Sequence, residues 1–236
     1  MSIPFFYIDA FDETASLITL NEETSKHVVQ VLRMHEGEQL NLTDGKGTLI
    51  TAVITSAHKR NCVVKAQNKT YREQGARRTT IAISLVKNAS RFEWFLEKAT
   101  EMGITEIIPL LCERTERQHF RYERMKGILV SAMLQSQQVW LPVLREPVKF
   151  ENLKMDEFEN SIKLIAHCEA GDKQLFSNLQ IDTSSKCIML IGPEGDFTPK
   201  EIEHALQNNF QAVALGETRL RTETAGLVAA VLMCVR

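Results

Sequence analysis

Ile191-Gly-Pro-Glu-Gly-Asp-Phe-Thr-Pro-Lys-Glu-Ile202 and, shortly after it, Ala214-Leu-Gly-Glu-Thr-Arg-Leu-Arg-Thr-Glu-Thr-Ala225 decide how this chain folds. In each, an apolar strand (187–191, then 212–215) runs into glycine, a polar loop and the start of a helix. Backbone N–H groups and small side chains are thereby left at a strand end, where a nucleotide-like ligand can be held. Pro193 fixes φ, and Gly192 and Gly195 remove Cβ atoms so that backbone can approach a ligand closely. The first loop is not a phosphate loop, because Gly-Lys-Ser/Thr is missing. No Gly-x-Gly-x-x-Gly follows the first strand of the same half, which argues against a dinucleotide-dependent dehydrogenase. Thr198 reads as an N-cap, with Pro199 at the first helical position and Glu201 in the first turn. In the second loop Thr222 reads as the N-cap and Glu223 favours the helix dipole. Arg221 does not fit a purely helical explanation: a cation just before a helix N-terminus is disfavoured, which points to an anionic partner.

Working outward, strands are expected at 80–86, 107–111, 141–144 and 162–166, and helices at 91–102, 124–138, 151–158, 198–209 and 223–236. Phe92, Phe95, Leu96 and Ala99 share one face of the helix at 91–102. Strands alternating with helices imply an α/β fold with a mainly parallel sheet covered on both faces, and ligands in such sheets bind at strand carboxyl ends. Before residue 72 the rhythm differs. Runs 5–8, 17–20, 39–43, 48–56 and 62–68 read as strands, a helix is expected over 23–34, and Asp44-Gly-Lys-Gly47 is a hairpin signal. Residues 1–71 therefore read as a small barrel-like domain, 72–79 as a linker and 80–236 as the larger domain.

With 236 residues and 44% hydrophobic content, the chain has ample material for two cores. No run is long enough to span a bilayer and the start lacks a basic region, so the expected location is cytoplasmic, with no membrane association. Cys62, Cys112, Cys168, Cys187 and Cys234 are odd in number and mostly in apolar segments, which suits buried free thiols. The scattered histidines form no ligand pair, so no metal is expected. A net charge of −2 argues against coating nucleic acid by overall electrostatics. Local basic patches are candidates at Arg72, Arg77 and Arg78, and at Arg114, Arg117, Arg121, Arg124 and Lys126, against a plain solvated surface as the alternative.

The order of the two glycine loops resembles the SPOUT, or α/β-knot, RNA methyltransferases. Gly-Pro-Glu-Gly with Leu-Arg-Thr-Glu-Thr-Ala is similar to one branch, the 16S ribosomal RNA (uracil-N3)-methyltransferase family, RsmE. Lys98-Ala-Thr-Glu-Met-Gly-Ile104, Ile107-Ile-Pro109, Glu113-Arg-Thr115, Gln135-Ser136 and Pro142 resemble the same family's ordered signature. His27-Val-Val-Gln-Val-Leu-Arg33 and Asp44-Gly-Lys-Gly47 resemble its N-terminal domain. The resemblance implies a C-terminal SPOUT α/β trefoil-knot domain, its last helix tucked through a preceding loop, behind a PUA-like RNA-binding β-barrel domain. It implies S-adenosylmethionine as cofactor, N3 of one uridine in 16S rRNA of the small ribosomal subunit as target, and a homodimer. Carried over residue by residue, Leu190, Ile191, Gly192, Pro193, Glu194, Gly195, Leu215, Gly216, Leu220, Thr222 and Ala225 hold the cofactor. Arg221 stabilises the uracil anion, while Glu194 and Glu223 are alternatives for taking the N3 proton or hydrogen bonding in the pocket. His27, Arg33, Lys87, Arg91 and Arg114 are the candidates for RNA contact. Two departures from the family pattern stand out: Gln137-Gln138 where many members carry glycine and arginine, and Asp196 in place of a frequent second glycine. The competing functions are another SPOUT reaction such as ribose 2′-O-methylation and a non-catalytic RNA-binding assembly factor.

Overall fold

The computed structural model describes residues 3–10, 15–116, 118–179, 181–182 and 185–235. Arg117 of the basic stretch and Arg236 at the end of the expected last helix lie outside them. The chain divides into two compact units, Met1–Gln74 with Met133–Leu141, and Gly75–Ala132 with Pro142–Arg236.

The first unit holds β1 (Phe5–Tyr7), β2 (Leu17–Thr19), α1 (Glu22–Lys26), β3 (Gln39–Thr43), β4 (Thr48–Ser56) and β5 (Val63–Tyr71). They form a curled five-stranded sheet in the order β1-β3-β4-β5-β2, a half-barrel that is antiparallel except for β1 beside β3. Leu40, Leu42, Ile50, Ile54 and Val64 alternate inward and are almost wholly buried, as a two-residue period requires. Asp44 shapes the hairpin by accepting the Lys46 and Thr48 N–H groups at 2.8 and 3.2 Å. The expected helix over 23–34 is shorter. Asn21 caps α1, but from His27 to Val31 the turn widens into a π-helix, and Arg33 then takes φ 55°. The β-branched Val28, Val29 and Val31 disfavour a regular α-helix there.

The segment 133–141 belongs to this unit. Leu141 N–H donates to the Gly45 carbonyl at 2.8 Å and the Trp140 indole N–H donates to the Arg72 carbonyl at 2.9 Å. A Cβ at Gly47 (φ 98°) would lie 2.6 Å from the Trp140 ring, so only glycine fits. Gln137 has φ 56°, the left-handed backbone that favours glycine.

The second unit holds β6 (Arg78–Ser84), α2 (Ala89–Met102), β7 (Glu106–Leu111), α3 (Tyr122–Gln135, except its last three residues, which fall in the first unit), β8 (Val143–Leu144), β9 (Val148–Lys149), β10 (Ser161–Ala166), β11 (Gln174–Leu175), β12 (Lys186–Ile191), α4 (Pro199–Gln207), β13 (Gln211–Ala214) and α5 (Thr222–Cys234). The first strand thus starts inside the stretch read as a linker. An all-parallel sheet runs β11-β13-β10-β12-β6-β7-β8, with β9 also beside β7. Central strands are buried on both faces: Ile81, Ala82, Ile83, Ile188, Met189 and Leu190 are solvent-free, which is why they read as unbroken apolar runs. The helix expected near 151–158 is instead a pair of 3-10 turns, Phe150–Asn152 and Met155–Phe158.

α5 is apolar on all sides and packs against α2 and β6. A Cβ on Gly226 would lie 2.7 Å from both Ile83 Cδ1 and Phe95 Cε2, so glycine sets how closely the helix docks. Phe92 and Phe95 are core residues, whereas Trp94 on the opposite helix face is 40% exposed. Cys62, Cys112 and Cys187 are buried, but Cys168 is exposed and Cys234 half-buried.

Candidate functional site

The last residues of β10 and β12 are in register, Ala166 beside Ile191, and Ala166 also pairs with Val213 of β13. The loops leaving these three strands surround a cavity of about 700 Å³, a size common for ligand pockets. Both glycine loops line it.

The first loop, 192–198, is built from the inside. A Cβ on Gly192 would lie 3.1 Å from the Phe197 ring and from Phe197 N, so a buried phenylalanine occupies the space behind that glycine. Asp196 takes φ 65°, a conformation that a glycine adopts without strain and that aspartate tolerates better than most residues. Thr198 caps α4 in a capping box with Glu201: its hydroxyl accepts the Glu201 N–H while the Glu201 carboxylate accepts the Thr198 N–H at 2.8 Å. The other oxygen of the same buried carboxylate accepts the Glu113 N–H at 2.9 Å, which ties the end of β7 to the start of α4. Beside it, burial first and the Glu201 charge second push the Cys112 thiol up to about 12, so it stays protonated.

The second loop, 215–221, leads into α5. Arg221 is the N-cap (φ −70°, ψ 156°) and Thr222 the first helical residue, one place on from the expected cap. Arg221 makes no side-chain capping hydrogen bond and is exposed at the cavity edge.

Of the residues expected at the cofactor, Ile191, Gly192, Pro193, Glu194, Leu215, Gly216, Leu220, Thr222 and Ala225 line the cavity. Leu190 does not, being sealed in the core cluster of this unit; Gly195 does not either, and faces the Arg114 side chain instead. Arg221 and Glu194 share the cavity. Glu223 lies outside it because neighbours on a helix point about 100° apart: with Thr222 at the cavity, Glu223 turns away and is buried. Its Oε1 sits 3.6 Å from Arg91 Nε, and its Oε2 has no partner.

Three of the five residues proposed for RNA contact cluster at this edge. Lys87 N–H donates to Glu194 at 2.9 Å, and Glu116 beside the Lys87 ammonium holds it above the usual lysine range. Arg91 meets Glu223, and Arg114 donates to the Gly195 carbonyl at 2.7 Å. His27 and Arg33 are exposed residues of the first unit, where the His27 ring packs edge-on to Phe6.

The cavity also includes residues that the sequence did not single out. Ala166, His167, Cys168 and Lys173 form a further wall after β10, and Glu217, Thr218 and Arg219 extend the second loop. Burial, then the Lys173 charge, lower the His167 imidazole below its usual value, and its Nδ1 is buried without a partner. The end of β10 was the one available signal, since it is a strand terminus in a parallel sheet.

A parallel α/β unit with a cavity between two glycine loops, together with a small curled-sheet unit, is the build of an RNA methyltransferase. Residues 73–234 match the RNA methyltransferase domain family, and residues 20–67 match the RNA methyltransferase PUA domain. Proteins named Ribosomal RNA small subunit methyltransferase E are similar along the chain. The one from Synechocystis sp. is 30% identical over 217 residues, covering 90% of this chain and 71% of that protein. The one from Bacillus subtilis is 28% identical over 232 residues, covering 92% and 89%. A crystal structure titled as a "probable rRNA-methyltransferase" from Porphyromonas gingivalis superposes with a TM-score of 0.89 at 36% identity, over 99% of this chain and 100% of that one. Ribosomal RNA small subunit methyltransferase E from Neisseria gonorrhoeae, solved bound to S-adenosyl methionine, gives 0.87 at 27% identity, over 98% and 97%. The chain belongs to the family of ribosomal RNA small subunit methyltransferase E. Among the described residues, no helix is long and apolar enough to cross a membrane, and no group of side chains is arranged to hold a metal ion.

Proposed function

We propose that this protein methylates N3 of one uridine in the 16S rRNA of the small ribosomal subunit, with S-adenosylmethionine as methyl donor. The observation that carries this reading is the cavity lined by both glycine loops; the names and the bound ligand of the relatives support it. The residues suit a nucleoside joined to a charged amino acid. Val213, Leu215, Leu220 and Ala225 offer apolar surface, Glu194 and Glu217 negative charge, and Arg219 and Arg221 positive charge. When bound, the cofactor supplies an electrophilic methyl group on a sulfonium.

What remains for the chain is to hold the uracil, accept its N3 proton and stabilise the resulting anion. Arg221 stabilises the charge shared by N3 and its flanking carbonyl oxygens, because a guanidinium stays ionised and presents several donors in a plane. Glu194 is favoured as proton acceptor because it lines the same cavity as Arg221. Glu223 instead holds Arg91, as the 3.6 Å separation suggests. Lys87, Arg91 and Arg114 then form the RNA-facing edge of the second unit, and His27 and Arg33 are separate RNA contacts on the first. The same reading has the protein act in the cytoplasm as a homodimer.

Transfer of labelled methyl from S-adenosylmethionine to 16S rRNA in unmodified small subunits is the expected result with purified protein. Absence of label from that 16S rRNA, with label transferred to transfer RNA or large-subunit rRNA supplied in parallel reactions, would overturn the substrate assignment.

A further inference from the structure

Asp196 joins two walls of the cavity that are far apart in sequence. Its Oδ2 accepts the Cys168 N–H at 2.7 Å, and its Oδ1 accepts the Phe197 N–H at 2.8 Å. Cys168 is the second residue of the loop that leaves β10; Phe197 is the fully buried anchor behind Gly192. The β10 loop is closed on itself as well, since the Lys173 ammonium donates to the His167 and Glu169 carbonyls, both at 2.7 Å. His167, Cys168, Lys173 and Asp196 all line the cavity. The loop is otherwise exposed at Cys168, Glu169 and Ala170 and packs little of itself into the core. A carboxylate bond to a backbone N–H is among the stronger hydrogen bonds available to such a segment.

Building on the functional reading above, we propose that Asp196 is a positioning residue for cofactor binding: it staples the 167–173 wall to the Gly-Pro-Glu-Gly loop and so preorganises the cavity. Glycine at this position satisfies the positive φ but has no side chain to form the staple. The aspartate of this chain meets both requirements. Preorganisation acts on affinity, because an unstapled wall must be ordered at the moment of binding. The reacting groups, Arg221 and Glu194, are not bonded to Asp196, so turnover at saturating cofactor is largely retained when the staple is lost.

The test is Asp196→Gly, which leaves the backbone conformation allowed, with Asp196→Asn as the conservative variant; alanine is unsuitable at φ 65°. Titration calorimetry with S-adenosylmethionine is expected to show Kd for Asp196→Gly raised by about tenfold, from the loss of one charge-assisted hydrogen bond. Asn retains an acceptor but not the charge, and is expected to fall between Gly and the native protein. KM for S-adenosylmethionine rises in parallel and kcat changes by less than about twofold. Hydrogen exchange at the Cys168 amide accelerates in Asp196→Gly. If Asp196→Gly does not fold, an unchanged Kd in Asp196→Asn overturns the proposal and a raised one supports it. Faster exchange at Cys168 with unchanged Kd would also overturn it, reducing the staple to local structure. Failure of the native protein to bind S-adenosylmethionine would overturn the functional reading itself, and the inference with it.

Discussion

Arg221→Ala is expected to lower kcat by about 10²–10³-fold, the cost of removing one donor aimed at developing negative charge, with Kd for S-adenosylmethionine changing by less than about fivefold. Arg221 caps α5 through its backbone alone and its side chain makes no capping bond, so the truncation leaves the helix start intact. Its exposed position at the cavity edge agrees with a group that meets a second substrate. Arg221→Lys keeps a positive charge but loses the planar set of donors, and its activity should lie between the two. Steady-state kinetics on small subunits together with cofactor titration separate the effects. Equal losses in kcat and in cofactor affinity would assign Arg221 to cofactor binding instead.

Glu201→Ala is expected to destabilise the protein by about 3 kcal/mol, because it strands the buried Thr198 N–H and hydroxyl together with the part-buried Glu113 N–H. The Glu113 and Thr198 N–H groups and the Thr198 hydroxyl all lose their partner at once. At a chain length near that of this protein, such a loss lowers the midpoint of thermal unfolding by roughly 6–12 °C. Glu201→Gln keeps one acceptor oxygen and should cost less. A second readout is specific to the site. The Cys112 thiol, held near 12 by burial first and by the Glu201 charge second, should fall part of the way back in Glu201→Ala and remain above its ordinary value. A melting curve unchanged in both variants would show that the bond between the end of β7 and the start of α4 contributes nothing to stability.

Features governed by near neighbours were legible in the sequence. Gly192, Gly195 and Gly216 mark loops, Thr198-Pro199 with Glu201 marks a helix start, and Ile188 to Leu190 read as a strand buried on both faces. Features governed by distant partners were not. His167, Cys168 and Lys173 become part of the cavity only because β10 pairs with β12 and β13, a relation with no local signature. β9 and β11 have two residues each, too few to show a period. The assignment of 133–141 to the first unit rests on the hydrogen bonds of Trp140 and Leu141 with Arg72 and Gly45, residues almost seventy or more positions away. At the site the cap was misplaced by one residue, Thr222 for Arg221, and the direction of Glu223 was out of reach. Composition marks it as an acidic residue near a helix start, but only helix geometry, with Thr222 and Ala225 at the cavity, turns it towards Arg91.

The central claim is the chemistry of the modified base, and nucleoside mass spectrometry tests it most directly. Small subunits lacking the modification would be incubated with the protein and methyl-labelled S-adenosylmethionine, and their rRNA digested and mapped. The account predicts labelled 3-methyluridine at a single position in the 16S rRNA. Label on a ribose 2′-oxygen, on another base or at many positions would contradict it.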